Sequence, residues 1–188
     1  MMEKSIVYFD KPGKKNTDEL VNLVKQRAEE LGISTLVVAS TSGETAIKLD
    51  NALEDVTIVS ITHHAGFKEK GVLELTEEAE EELVKRGILA YTGSHALSGV
   101  GRGLTNKYGG FSPLDIMADT LRMFSHGVKV CVECSIMAAD AGLIPMDEEI
   151  ICVGGRGSGA DTAVVLSPAH MTAVFDINIH EIIAMPRE

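Results

Sequence analysis

Apolar positions along this chain switch between two periods. Ser5-Ile6-Val7-Tyr8-Phe9-Asp10 is a short apolar run that predicts a strand, broken by Pro12 and Gly13. From Asn16 or Thr17 the spacing becomes helical: Leu20, Leu23, Val24, Ala28 and Leu31 recur on one face until Gly32. With Asn16 as the cap, Glu19 completes a capping box. Residues 35–40 predict a second strand, Thr41 to about Ala52 a helix, and Val56–Thr62 a β-branched third strand. Residues 63–75 have no period. Thr76–Arg86 reads as an acidic amphipathic helix stopped by Gly87, and Ile88–Thr92 as a fourth strand. Strands and helices alternating at this spacing over 5–92 dictate right-handed crossovers and a parallel sheet.

The second half is patterned differently. Gly93, Gly99, Gly101, Gly103, Gly109 and Gly110 predict an irregular loop over 93–111. Ser112-Pro113-Leu114-Asp115 is a helix start, with a Ser cap, Pro at the first position and an acid at the third. That helix runs to about Phe124, and another spans about Val128–Ala141 before Gly142. Ile150–Val153 and Thr162–Leu166 read as strands around a glycine-rich turn, and residues 179–185 as a last short strand. With no repeat, linker or low-complexity tract, residues 1–188 are expected to form one domain.

Composition narrows the function classes. A net charge of −11, no Trp, five Phe and three Tyr argue against nucleic acid, which needs clustered cations and stacking surfaces. No run approaches 18 apolar residues, and Met1-Met2-Glu3-Lys4 leads into a strand and not a signal peptide, so no membrane role and a cytoplasmic location are expected. Three cysteines are an odd count and suit free thiols. Cys131 and Cys134 form a C-x-x-C inside an apolar helix, where core packing is the expected role, and Cys152 reads as a buried strand residue. Eight Met and an apolar second half suit a homo-oligomer.

Candidate chemistry gathers after strand ends. Thr41, Ser42, Gly43 and Thr45 offer hydroxyl and N–H groups to a phosphate at a helix N-terminus, although Thr41 with Glu44 also reads as a plain capping box. Glu44 there competes with a bound anion. Gly99-Val100-Gly101-Arg102-Gly103 and Gly154-Gly155-Arg156-Gly157-Ser158-Gly159 each set one guanidinium in a glycine frame, suited to phosphate or simply a mobile surface loop. His63, His64 and His95 follow the third and fourth strands, on the same sheet edge as the 41–45 turn. They are candidates for acid–base work or for plain structural hydrogen bonds; zinc-type spacing is lacking, and no metal is expected. Asp161 reads as a residue that caps or positions its glycine loop, and Glu77–Glu82 as a solvated face.

Over residues 17–95 the chain resembles the C-terminal domain of pyruvate kinase. The resemblance rests on Arg27-Ala28-Glu29-Glu30-Leu31-Gly32, Leu36-Val37-Val38-Ala39, Thr41-Ser42-Gly43-Glu44-Thr45-Ala46 and Ile58-Val59-Ser60-Ile61-Thr62. Over nearly its whole length it is similar to small stand-alone, mostly archaeal proteins of this fold. The matching segments are Thr62-His63-His64-Ala65-Gly66-Phe67, Gly93-Ser94-His95-Ala96-Leu97-Ser98-Gly99 and Ala160-Asp161-Thr162-Ala163-Val164-Val165. The resemblance implies an α/β/α sandwich with strand order 3-2-1-4-5 and one edge strand antiparallel. It also implies bound FMN and specifies no reaction. The phosphate would lie on the 41–45 turn or on a glycine loop with Gly155 and Arg156. The ring would lie against Thr62, His63, His64, Gly66 and Phe67, and against Ser94, His95, Gly99, Gly101 and Arg102. Pyruvate kinase catalyses on a separate barrel of ~250 residues, so no kinase activity is expected of 188 residues. A regulatory module that senses a phosphometabolite is the alternative.

Overall fold

The computed structural model describes residues 3–187. Its strands are β1 (Val7–Phe9), β2 (Thr35–Ala39), β3 (Thr57–Thr62), β4 (Leu89–Thr92), β5 (Ile150–Gly154), β6 (Thr162–Ser167) and β7 (Asn178–Pro186). Its helices are α1 (Thr17–Leu31), α2 (Glu44–Ala52), α3 (Glu77–Lys85), α4 (Gly99–Tyr108), α5 (Pro113–Arg122) and α6 (His126–Asp140). All the strands share one sheet, in the order β1-β7-β6-β5-β2-β3-β4. β6 pairs antiparallel with β5 and β7, and the other pairings are parallel.

The five strands β2 to β6 reproduce the 3-2-1-4-5 order, with the antiparallel strand last among them. The sheet then continues through β7 and β1, which cover the open side of β6. One expectation changes as a result. The last strand is nine residues long and not a short addition. The first strand is not a neighbour of the second: β7, β6 and β5 lie between them, and α1 carries the chain across.

Helices on both faces explain why the central strands are apolar at successive positions. Leu36, Val38, Ile151 and Val153 pack against Leu20 and Val24 of α1, Leu49 of α2 and Leu83 of α3. Val37, Val59, Ile150 and Cys152 point the other way, onto Val128, Cys131, Cys134 and Met137 of α6. All three cysteines are free and buried, and burial pushes their thiols up, so the C-x-x-C is core packing.

The segment expected to be an irregular loop over 93–111 contains α4. Three glycines make this a poor helix by propensity, and tertiary contact overrides that cost. At Gly101 a Cβ would lie 3.1 Å from Ser112 Oγ and 3.3 Å from Leu114 Cδ1, so the missing side chain lets α4 approach α5. Arg102 therefore sits on a helix. The Ser112 cap forms as expected, with Asp115 completing a capping box, and Thr76 caps α3 by accepting from Ala79 N–H. The one expected at Asn16 does not: its side-chain amide donates to Lys11 O, 2.8 Å away, and a 3₁₀ turn precedes α1.

Candidate functional site

The parallel strands β2, β3, β4 and β5 end on one edge of the sheet, where ligands of open α/β sheets sit. A cavity of about 600 Å³ opens there. Its floor is apolar, from Ile61 of β3 and Val130, Cys134 and Met137 of α6. Its rim is polar and is built from four segments.

The turn after β2 is the first. α2 begins at Glu44, and Gly43 is its N-cap with φ +80, a left-handed conformation that glycine accepts readily. No Thr41–Glu44 capping box forms. Instead Ser40 Oγ accepts from the Thr45 N–H at 3.2 Å. The hydroxyls of Thr41 and Ser42 have no hydrogen-bond partner among the described residues, and both residues line the cavity with Glu44 and Thr45. The competing carboxylate is drawn aside: Glu44 pairs with Lys14 Nζ at 2.7 Å.

The second segment follows β3. His63 Nδ1 lies 2.6 Å from Glu74 Oε2, and Lys68 holds the same carboxylate. Phe67 stacks on the His63 ring at a centroid distance of 3.8 Å. Burial raises the Glu74 pKa, but Lys68 and His63 outweigh it and leave the carboxyl below its usual range. Thr62 shares its hydroxyl with Thr92 on β4 at 2.6 Å.

His95 belongs to the third segment, the turn after β4, with its ring 5.5 Å from that of His63. Burial, opposed by Glu133 and assisted by His63, His64 and Lys129, lowers its pKa to about 4. It is neutral at physiological pH.

Helix α6 supplies what sequence reasoning missed. Lys129 and Glu133 line the cavity at 4 % and 5 % exposure, paired with each other. Glu133 Oε1 also accepts from Leu97 N–H at 2.9 Å and from Ser98 Oγ at 3.4 Å, which ties α6 to the His95 turn. Near the N-terminus of α6, Arg122 and His126 also line the cavity. Burial first, then the charges of Arg122, Lys129 and Arg156, hold the His126 pKa down. A charged pair at i, i+4 in an otherwise apolar helix was a visible signal. Glu74 left none, because the irregular 63–75 segment brings it to His63.

The 154–159 loop closes the rim with Gly155, Gly157, Ser158 and Gly159. A Cβ at Gly155 would lie 2.9 Å from Gly159 O, so this tight bend requires glycine. Asp161 positions the loop: its Oδ2 accepts from Gly13 N–H at 2.8 Å and its Oδ1 from Thr162 Oγ1 at 2.9 Å.

Of the residues singled out from the sequence, Thr41, Ser42, Glu44, Thr45, Thr62, His63, Phe67, His95, Arg102 and Gly155 line the cavity. The others do not. Gly43 and Gly66 hold turns at positive φ, and Gly99 and Gly101 are helical. His64 bonds Ala65 O through Nδ1 at 2.8 Å, and Ser94 and Arg156 lie on the exposed surface. Arg102 makes no ion pair among the described residues. The assembled site has cations and uncommitted hydroxyls suited to an anion, stacked rings suited to a planar group, and an apolar floor between them.

No helix among the described residues is long and apolar enough to cross a membrane. The family model for the pyruvate kinase alpha/beta domain matches residues 18–166, from the start of α1 to the end of β6, and leaves out β1 and β7. Among solved structures, a pyruvate kinase of Cryptosporidium parvum is 13 % identical over 81 % of this chain and 23 % of its own, with TM-score 0.44. A structure of the pyruvate kinase of the same organism in complex with ADP is 13 % identical over 89 % of this chain and 23 % of its own, with TM-score 0.39. The chain thus spans about a quarter of the length of these kinases. The chain belongs to the pyruvate kinase alpha/beta domain family.

Proposed function

We propose that this chain binds a phosphorylated small molecule, with FMN as the specific candidate, at the C-terminal edge of strands β2 to β5. One observation carries the reading: a single cavity of about 600 Å³, inside the usual range for small-molecule sites, joins the Thr41–Thr45 turn to Arg102, Arg122 and Lys129 in a chain of net charge −11. Uncommitted Thr41 and Ser42 hydroxyls, the N-terminus of α2 and the 157–159 backbone suit the phosphate. Phe67, His63 and His95 suit a flat ring, and Val130, Cys134 and Met137 lie beneath it. Bound flavin would supply the redox chemistry, and these residues would bind it, orient it and exclude water.

The test is optical. Purified protein is expected to carry flavin absorbance, or to acquire it from added FMN, and to release the chromophore on denaturation. A colourless preparation that takes up no FMN contradicts the assignment. A phosphometabolite sensor without turnover is the second reading. The family match favours it, because the family is defined on this domain and not on a catalytic barrel. Preference for a sugar phosphate over FMN in competition would select it.

A further inference from the structure

Glu74 does more than close the 63–75 segment. Its Oε2 meets His63 Nδ1 at 2.6 Å, its other oxygen is held by Lys68, and Phe67 stacks on the imidazole at 3.8 Å and 25°. The ring is therefore fixed along one hydrogen bond and in its own plane. With the carboxyl kept below its usual range, it is an anion at neutral pH and accepts from Nδ1–H. That fixes the tautomer and leaves the lone pair on Nε2. His63 lines the cavity, and its Nε2 has no protein partner among the described residues.

His95 is a contrasting imidazole 5.5 Å away. No carboxylate hydrogen-bonds it among the described residues. The charges that face it are Glu133 and Lys129 from α6 and the two histidines of the β3 turn, and burial dominates them all. Paired titratable groups in opposed environments mark a division of acid and base roles.

We propose that His63, oriented by Glu74, exchanges a proton with the ligand of this cavity through Nε2, while His95 donates a hydrogen bond to an adjacent ligand oxygen. This inference rests on the cavity holding a phosphorylated ligand. The ligand class is a phosphate ester whose far end carries an N–H or C–H beside a carbonyl. In the forward step that N–H or C–H bond breaks and its proton passes to Nε2. The electron pair left behind delocalises onto the carbonyl oxygen, towards which His95 N–H donates. The reverse step returns the proton, and no oxidant or reductant is consumed. Glu74 offsets the imidazolium charge; it is a positioning residue, because it acts through His63.

The experiment joins calorimetry to NMR, with FMN as the probe because its ring carries an N–H between two carbonyls. FMN is titrated into wild-type protein, His63→Gln and Glu74→Gln at neutral pH, and the affinities are compared. The FMN ring N–H donates to the Nε2 lone pair, so His63→Gln, which offers no ring nitrogen there, binds FMN at least tenfold more weakly than wild type. Nitrogen-15 spectra show His63 as the Nδ1–H tautomer in the wild type and as a tautomer mixture in Glu74→Gln, with the circular dichroism spectrum retained. Equal FMN affinity in wild type and His63→Gln, or an unchanged tautomer in Glu74→Gln, overturns the dyad while ligand binding stands. A wild-type protein that binds neither FMN nor inorganic phosphate overturns the binding reading and the dyad together.

Discussion

Lys129 and Glu133 stand one turn apart on α6, both buried, and Glu133 also satisfies Leu97 N–H and Ser98 Oγ. Removing one charge strands the other. Glu133→Gln is therefore expected to cost about 3–5 kcal/mol in urea unfolding, as for other broken buried pairs. Replacing both residues by Met removes the stranded charge and is expected to recover much of that loss, because buried pairs are often no better than apolar packing. A Glu133→Gln protein as stable as wild type contradicts the pairing. His95 makes a second residue-scale prediction. Its pKa falls from 6.5 in the unfolded chain to about 4 in the fold, so protonation favours unfolding. Its contribution is complete above pH 6.5 and is lost as the pH falls towards 4. Unfolding free energy measured across that window is expected to fall more steeply in wild type than in His95→Asn. Parallel curves would show that His95 titrates alike in both states.

At the scale of elements, α4 shows where local pattern and tertiary structure part. Gly103 faces open space, whereas a Cβ at Gly101 would meet Ser112 and Leu114. Gly103→Ala is expected to stabilise by up to about 1 kcal/mol through helix propensity. Gly101→Ala gains the same propensity and loses it again by pressing α4 away from α5. Thermal unfolding of the two variants checks this, and an equal gain in both would contradict the close approach. Most other elements were legible for physical reasons. The run Leu36–Val37–Val38 is apolar throughout because α1 and α6 cover both faces of β2. Ser112 and Asp115 announce their helix because a cap is a local interaction. α4 was not legible, because the reason for Gly101 lies eleven residues away in Ser112. Glu74 was hidden in the same way, since only the folded 63–75 segment brings it to His63.

Over the whole molecule, β2 to β6 and the helices between them are the part that the family shares, and β7 and β1 extend its sheet. Strand order can be inferred from crossover rules only where strands neighbour in sequence. β1 and β7 meet from opposite ends of the chain, so alternation over 5–92 left the neighbour of β1 unassigned. The position of the cavity was legible, because every parallel strand ends on its edge. Its composition was only partly so: the Thr41–Thr45 turn and the His63 and His95 turns were read as candidates, while Lys129 and Glu133, a visible i, i+4 pair, were passed over in a helix that reads as core. The central claim is that this edge binds a phosphorylated ligand with its ring towards His63 and Phe67. The most direct measurement is a fluorescence titration of FMN with the wild-type protein, repeated with inorganic phosphate as competitor and with Lys129→Met/Glu133→Met. Saturable quenching, displaced by phosphate and at least tenfold weaker in the double variant, is the predicted result. Unquenched FMN at every protein concentration, or quenching that neither phosphate nor the double variant alters, would contradict the account.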